Sequence, residues 1–195
     1  MKKIGCIALV SLVGLLLLIT VGAGFWAYDH FVKRDQGVRA AWSEVENQYQ
    51  RRLDLLPNLV EVVKRYARHE QKIFADLADA RARYAGAPPA SPEKMRAARE
   101  LETLFTRLMV IVENYPNLKA NETFTRLMDE WAGTENRVAV ARMRFNEQVK
   151  QYNSSAMSLL GRFWIGFFGF DRSKLYFEAV KGAEKAPSAK EMFGE

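Results

Sequence analysis

Two patterns of apolar residues divide this chain. From Ile4 to Tyr28 no charged residue interrupts a run rich in Leu, Val and Ile. As a helix rising about 1.5 Å per residue, this stretch reaches about 37 Å, enough to cross a hydrocarbon core of about 30 Å. Trp26 and Tyr28 close the run, where amphipathic rings favour the lipid–water interface. The run predicts an N-terminal transmembrane anchor over 1–28. A cleaved signal peptide is the rival, since Lys2-Lys3 and Val21-Gly22-Ala23 would suit one. The run is long for that purpose and ends in aromatic residues, which favours the anchor.

Beyond about residue 32 the pattern changes to apolar positions at spacings of three and four, the mark of helices with one buried face. Val38, Trp42, Val45 and Tyr49 form one stripe. Leu59, Val63, Tyr66, Ile73, Leu77, Ala80 and Tyr84 form a second. Met95, Ala98, Leu101, Phe105, Leu108, Val112 and Tyr115 form a third, and Phe124, Leu127, Trp131, Val138, Ala141, Phe145, Val149 and Tyr152 a fourth. The alternation suits coiled-coil-like packing.

Three breaks separate the stripes. Gly86 suits a left-handed helix stop, Pro88 and Pro89 prevent continuation, and Ser91 is placed to cap a helix that has Pro92 in its first turn. The other two breaks share a tripeptide, Pro57-Asn58-Leu59 and Pro116-Asn117-Leu118. A proline in a first helical turn loses no intrahelical hydrogen bond, so both can be tight corners. The competing reading of Pro57 is a bend in one long helix, because the three-four spacing carries on across it. The corner reading predicts helices over 32–54, 57–85, 92–114 and 117–153, with both Pro-Asn-Leu corners side by side at the membrane-distal end. Residues 161–170 hold five aromatic residues and three glycines, which argue against a regular helix there.

Composition narrows the function classes. The chain is 49% apolar and 27% charged, normal for a folded protein. Removing Lys2 and Lys3 from the 29 basic residues leaves 27 against 23 acidic ones, interspersed rather than in blocks, which is not the footprint of a nucleic-acid binder. One cysteine, Cys6, excludes an intramolecular disulfide and a cysteine-based zinc site. Two histidines cannot supply a three- or four-ligand metal centre without help, and His69-Glu70 lacks the second histidine of a zincin helix. No nucleophile elbow, phosphate-binding glycine loop or supported carboxylate pair is present, so no catalytic, metal or cofactor residue is assigned.

Several motifs in one order resemble the LemA family: Ala41-Trp42-Ser43, Arg51-Arg52-Leu53-Asp54-Leu55-Leu56-Pro57-Asn58-Leu59-Val60, His69-Glu70, Ala80-Arg81, Glu113-Asn114-Tyr115-Pro116-Asn117-Leu118-Lys119-Ala120-Asn121, Ala141-Arg142 and Tyr152-Asn153. The likeness runs from about residue 25 to 178. The tail beyond Glu178 is not family-like, and the stretch before it is unusually aromatic. The resemblance implies a bacterial membrane protein with one N-terminal anchor and a four-helix bundle, without an established activity or ligand. Some relatives occur beside membrane metalloproteases or in magnetosome membranes, which implies a partner-binding role.

Three groups of residues are candidates for function. Trp26, Tyr28, Phe163, Trp164, Phe167 and Phe168 are expected at the membrane interface, with Arg162 and Arg172 near lipid phosphates, against the alternative that 161–170 folds back to cover the open end of the bundle core. Arg51, Asn58, Asn117, Lys119 and Asn121 are expected to gather at the distal corners as a docking surface, against the alternative that the asparagines only cap turns. Arg52 and Glu70 fall on apolar stripes and are expected to form a buried polar pair that sets helix register.

The expected protein is therefore all-α: an N-terminal transmembrane helix, an up-and-down antiparallel four-helix bundle within 29–178, and a flexible tail over 179–195. Its expected role is a non-enzymatic scaffold, with a lipid-interacting, envelope-shaping protein acting through 161–170 as the alternative. Expected partners are the membrane, crossed once, and a protein, with a membrane protease or a second copy of the chain as the classes; nucleic acid is not among them. Lys2 and Lys3, set against Lys33, Arg34 and Arg39, favour an inner-membrane location with the soluble domain outside the cytoplasm.

Overall fold

The computed structural model describes residues 2–178, with side chains from Ser11 onward. The described residues form six helices and no strand: α1 (Lys2–Tyr66), α2 (Gln71–Gly86), α3 (Pro92–Val112), α4 (Pro116–Lys119), α5 (Glu122–Met157) and α6 (Leu159–Phe168). The tail expected over 179–195 lies outside the described residues.

The corner expected at Pro57 does not form. Pro57 lies within α1 and faces solvent, while Leu53, Leu55, Leu56, Leu59 and Val63 are buried on both sides of it. Burying aliphatic side chains, each worth about 1.5–3 kcal/mol, outweighs the roughly 3 kcal/mol that a proline costs inside a helix. The chain turns instead after Tyr66, where the Glu70 amide donates to the Ala67 carbonyl at 3.1 Å. The persistence of the three-four spacing across Pro57 is the signal that decides it.

The corner at Pro116 does form, in two steps. Pro116 opens the single turn of α4, and Asn121 then caps α5, its side-chain oxygen accepting from the Phe124 amide at 3.0 Å. Ser91 caps α3 as expected, accepting from the Lys94 amide at 3.1 Å with Pro92 in the first turn. Gly86 is not a left-handed stop. Ala87, the residue before Pro88, is extended, and the left-handed residue of this loop is Ala90, with φ 54°. A residue before proline is driven from the helical region, so Ala87 ends α2 without help from glycine.

Residues 161–170 are more regular than their glycines suggest. Leu159–Phe168 is helical, with Ser158 as N-cap and Gly169 as a left-handed C-cap, φ 74°. Gly161 sits in the first turn because a Cβ there would lie 2.0 Å from the Ser155 carbonyl oxygen.

The described chain falls into two compact units, and α1 and α5 each contribute to both. One unit comprises α1 through Ala41 with Asn146–Lys174; the other comprises Trp42–Phe145 and the segment from Leu175. Within the second unit, α1 meets α2 through Tyr49–Tyr84 and Lys64–Phe74, and α2 meets α3 through Arg83–Glu100. α3 meets α5 through the stacked rings of Phe105 and Trp131, 3.7 Å apart, and α1 meets α5 through Trp42–Phe145. Residue numbers rise on α1 as they fall on α2 and on α5, so these contacting pairs are antiparallel. The predicted stripe residues are buried except Tyr66, which is exposed, and Tyr115, which is half-buried; Val38, Val149 and Tyr152 among them belong to the first unit.

Candidate functional site

The first unit presents an apolar helix face to the outside. Leu12, Leu15 to Ile19, Val21, Phe25 and Trp26 are all exposed on α1. This helix is long and apolar enough to cross a membrane. Beside the end of its apolar stretch lies α6, whose seat is made by Gly24: a Cβ there would stand 3.3 Å from the Trp164 ring. Trp164 stacks on Phe168 at 5.5 Å, and Phe168 meets the edge of Tyr28 at 5.2 Å. The result is an apolar groove of about 530 Å³ between Val21, Gly24 and Tyr28 on one side and Phe163, Trp164, Phe167 and Phe168 on the other. The outer face of α6 carries Leu159 at 92% and Phe167 at 72% exposure.

Five of the six expected interface residues therefore meet in one place. Trp26 does not line the groove; its ring stacks on His30 at 5.4 Å, and His30 Nε2 shares a hydrogen bond with Ser155 Oγ at 3.2 Å. Gly24 was not visible as a site residue, because its role depends on which helix lands on it.

A clasp that sequence reasoning missed holds the chain after α6. Asn153 both donates to the Lys174 carbonyl, 3.0 Å, and accepts from the Lys174 amide, 2.7 Å, while the Tyr152 hydroxyl donates to the Asp171 carbonyl at 2.6 Å. The Lys174 ammonium lies 2.7 Å from Asp35 and 2.6 Å from Asp171. Burial alone would raise the Asp35 carboxyl, but hydrogen bonds from Lys174 and Arg39 overcome it and hold the group below its usual range. Burial pulls Lys174 down, and the two carboxylates outweigh it and raise the ammonium above its ordinary value. Tyr152-Asn153 was noted as a family motif, which was the available signal.

In the second unit, Arg52 is buried, with 4% of its side chain exposed. Its expected partner was Glu70, but Glu70 lies in the turn between α1 and α2, because α1 runs on past Pro57. The acids that answer Arg52 are Glu102 and Glu135; its Nε donates to Thr134 Oγ1 at 2.9 Å, and its guanidinium lies 5.3 Å from the Trp131 ring centre. Glu102 also contacts Arg142 and accepts from the Tyr49 hydroxyl at 2.8 Å. Burial pushes the Glu102 carboxyl up to about 7, against the pull of Arg52, and burial lowers Arg142 to about 10. Both members of this contact thus lean toward their neutral forms, as desolvation requires. The adjoining cavity is about 10 Å³, roughly the space of one water. No group of three potential metal ligands occurs among the described residues.

The expected docking cluster separates. Asn117, Lys119 and Asn121 share the corner around α4, where Lys119 pairs with Glu113 at 2.6 Å and Asn121 donates to the Tyr66 hydroxyl at 3.2 Å. Asn58 and Arg51 stay on α1, about 12 and 22 Å along the axis before Tyr66 at 1.5 Å per residue. Arg51 lies 3.9 Å from Glu130 on α5. Asn121 is a cap as well as a corner residue, as the capping alternative expected.

Comparison with known proteins agrees with these motifs. The family model of the LemA family matches residues 41–190, starting beyond the apolar run and reaching past the limit expected at 178, so part of the tail is family-like after all. The chain is similar to magnetosome protein MamQ of Magnetospirillum gryphiswaldense, 25% identical over 93% of this chain and 73% of that protein. It is also similar to magnetosome proteins MamQ 2 and MamQ 1 of Paramagnetospirillum magneticum, each 24% identical over 80% of this chain and 66% of theirs. Together with the exposed apolar face of α1, these relations make it a membrane-associated, all-helical protein. The chain belongs to the LemA family.

Proposed function

We propose that this protein is a non-enzymatic scaffold, held by α1 in the inner membrane, whose second unit is an up-and-down antiparallel four-helix bundle that binds another protein outside the cytoplasm. The observation that carries this reading is the use of the buried charges on one another. Arg52 and Arg142 both pair with Glu102, Arg52 also reaches the exposed Glu135, and the cavity of about 10 Å³ that Arg52 and Glu102 line is too small for a substrate. The outer helix faces and the α4 corner remain as surface for a partner. The likeness to magnetosome proteins supports an attachment role without naming a task.

The test is photo-crosslinking from Asn117 and Asn58 in intact membranes, each replaced by a benzophenone amino acid. Discrete protein adducts, whether a membrane protease, another protein or a second copy of this chain, support the scaffold. Adducts to lipid alone overturn it. Labelling of Ser91→Cys in a Cys6→Ser background by an impermeant maleimide, with any outer membrane opened, checks the side. Labelling only after lysis would move the bundle to the cytoplasm.

A second reading is favoured by α6. Its exposed Leu159, Leu160, Phe163 and Phe167 continue the apolar surface around Phe25, which supports insertion of 161–170 into the bilayer surface and an envelope-shaping role. An environment-sensitive fluorophore on Phe167→Cys in the reconstituted full chain should emit as in an apolar medium. A water-like emission sinks this reading.

A further inference from the structure

We infer that the cleft where α6 meets the end of α5 and the segment after Gly169 is a binding site for the headgroup of an anionic phospholipid; this rests on α6 lying at the bilayer surface. The cleft measures about 490 Å³ and is lined by Met157, Ile165 and Gly166 on its apolar side and by Arg162, Arg172 and Ser173 on its polar side. No acidic residue lines it.

The two arginines stand out in their unit. Lys33 pairs with Asp29, Arg34 with Gln151, Arg39 with Asp35, Lys150 with Glu147, and Lys174 with Asp35 and Asp171. Among the described side chains of that unit, Arg162 and Arg172 alone among the cations have no ion pair or side-chain hydrogen bond. Two guanidinium groups on one cleft, with a serine hydroxyl beside them, present the donors that a phosphate diester accepts.

The choice of a lipid over free phosphate follows from the neighbouring surfaces. The cleft is partly apolar, and another face of the same ten-residue helix borders the 530 Å³ groove against Val21 and Gly24. A ligand with a phosphate and an acyl chain matches both faces of α6. Inorganic phosphate has no use for the second. Basic side chains at a membrane surface each favour anionic lipid by about 1 kcal/mol, which is about fivefold in affinity, so the pair is worth about thirtyfold.

The experiment is native mass spectrometry of the full chain in a neutral detergent, titrated with phosphatidylglycerol or phosphatidylcholine. The unaltered protein should retain phosphatidylglycerol at least tenfold more tightly. Arg162→Gln with Arg172→Gln should remove that preference and leave phosphatidylcholine unchanged, and the corresponding Lys pair should keep most of it. Gly166→Leu, whose Cβ meets nothing within 4 Å, should fill the cleft and lower phosphatidylglycerol binding without changing charge. Equal retention of both lipids by the unaltered protein, or an undiminished preference in the Gln pair, overturns the inference. Full displacement by inorganic phosphate, bound as tightly as the lipid, also overturns it. Phe163→Ser with Phe167→Ser separates the underlying reading: it should weaken both lipids alike, and if it changes neither, α6 is not an interfacial helix.

Discussion

Replacing Pro57 by Ala should make this protein more stable, although proline stands in a motif shared with a real corner. Pro57 is exposed inside α1, nine residues before its end at Tyr66, so truncating its ring removes no core contact. The Leu53 carbonyl has no amide at position 57 to accept from; alanine supplies one. A helix-interior proline is about 3 kcal/mol less favourable than alanine. Against this, alanine frees the unfolded chain and loses up to about 1 kcal/mol. The net expectation is a gain of about 2 kcal/mol, or about 4–8 °C for a domain of this size.

The assay is thermal unfolding of the full chain in detergent by circular dichroism, with hydrogen exchange over 53–61 to localise the change. Exchange at residue 57 should be slow, as for a helix interior. Pro116→Ala is the matched control. Pro116 is the first residue of α4, after Tyr115 at φ −122°, so its missing N–H costs nothing there and alanine should lower stability by up to about 1 kcal/mol. A loss of more than about 1 kcal/mol on Pro57→Ala, or fast exchange at 57, would refute the continuous helix and restore the corner.

Other expectations follow from the two polar networks and the seat of α6. Arg52→Met should cost about 3 kcal/mol, by leaving the half-buried Glu102 with Arg142 and the Tyr49 hydroxyl as its remaining partners, whereas Glu70→Gln should stay within about 0.5 kcal/mol in the same chemical denaturation series. Gly24→Leu should displace Trp164, read as a shift of its resonance in fluorotryptophan NMR; an unmoved resonance would refute the close approach. The clasp should depend on pH at both ends of the scale. Asp35 has its folded value lowered, so its contribution is present above the ordinary 3.8 and is lost as pH falls through the folded value. Lys174 has its folded value raised, so its contribution is present below the ordinary 10.5 and is lost as pH rises through the folded value. Protection of the Lys174 amide in hydrogen exchange should be flat between those limits and fall outside them, and a decline near neutral pH would refute the assignment.

Much of the architecture is legible because burial imposes a period. Val38, Trp42, Val45, Tyr49, Leu77, Ala80, Leu108 and Val149 all lie in the core where their spacing puts them. What the spacing does not carry is the difference between local and long-range evidence. Pro57 and Pro116 sit in the same tripeptide, and local chemistry treats them alike. Only the buried residues downstream of Pro57, which need α1 to continue, tell them apart. Arg52 was correctly placed inside but given the wrong acid, since the partner depends on how far α1 runs before turning. The clasp of Asn153 on Lys174 was out of reach for a related reason: its hydrogen bonds go to backbone groups, which every residue offers.

The glycines of the first unit show why a helix can form where propensity opposes it. Gly161 and Gly166 each weaken α6 by about 1 kcal/mol relative to alanine. Gly161 cannot be replaced without striking the Ser155 carbonyl, and Gly24 cannot be enlarged without moving Trp164. Close approach thus converts a local penalty into burial of Ile165 and partial burial of Trp164 and Phe168. What remains exposed is then not accidental. Leu159 and Leu160 are exposed, Phe163 and Phe167 are exposed while lining the open groove, and the arginine-lined cleft takes another side of the helix. In water that face would favour aggregation. On the reading proposed above, the bilayer that receives the apolar segment of α1 would also cover this face, and the guanidiniums of Arg162 and Arg172 would meet its phosphates. The aromatic stretch that looked least like a folded element is therefore the part of this chain whose chemistry points most directly to what it touches.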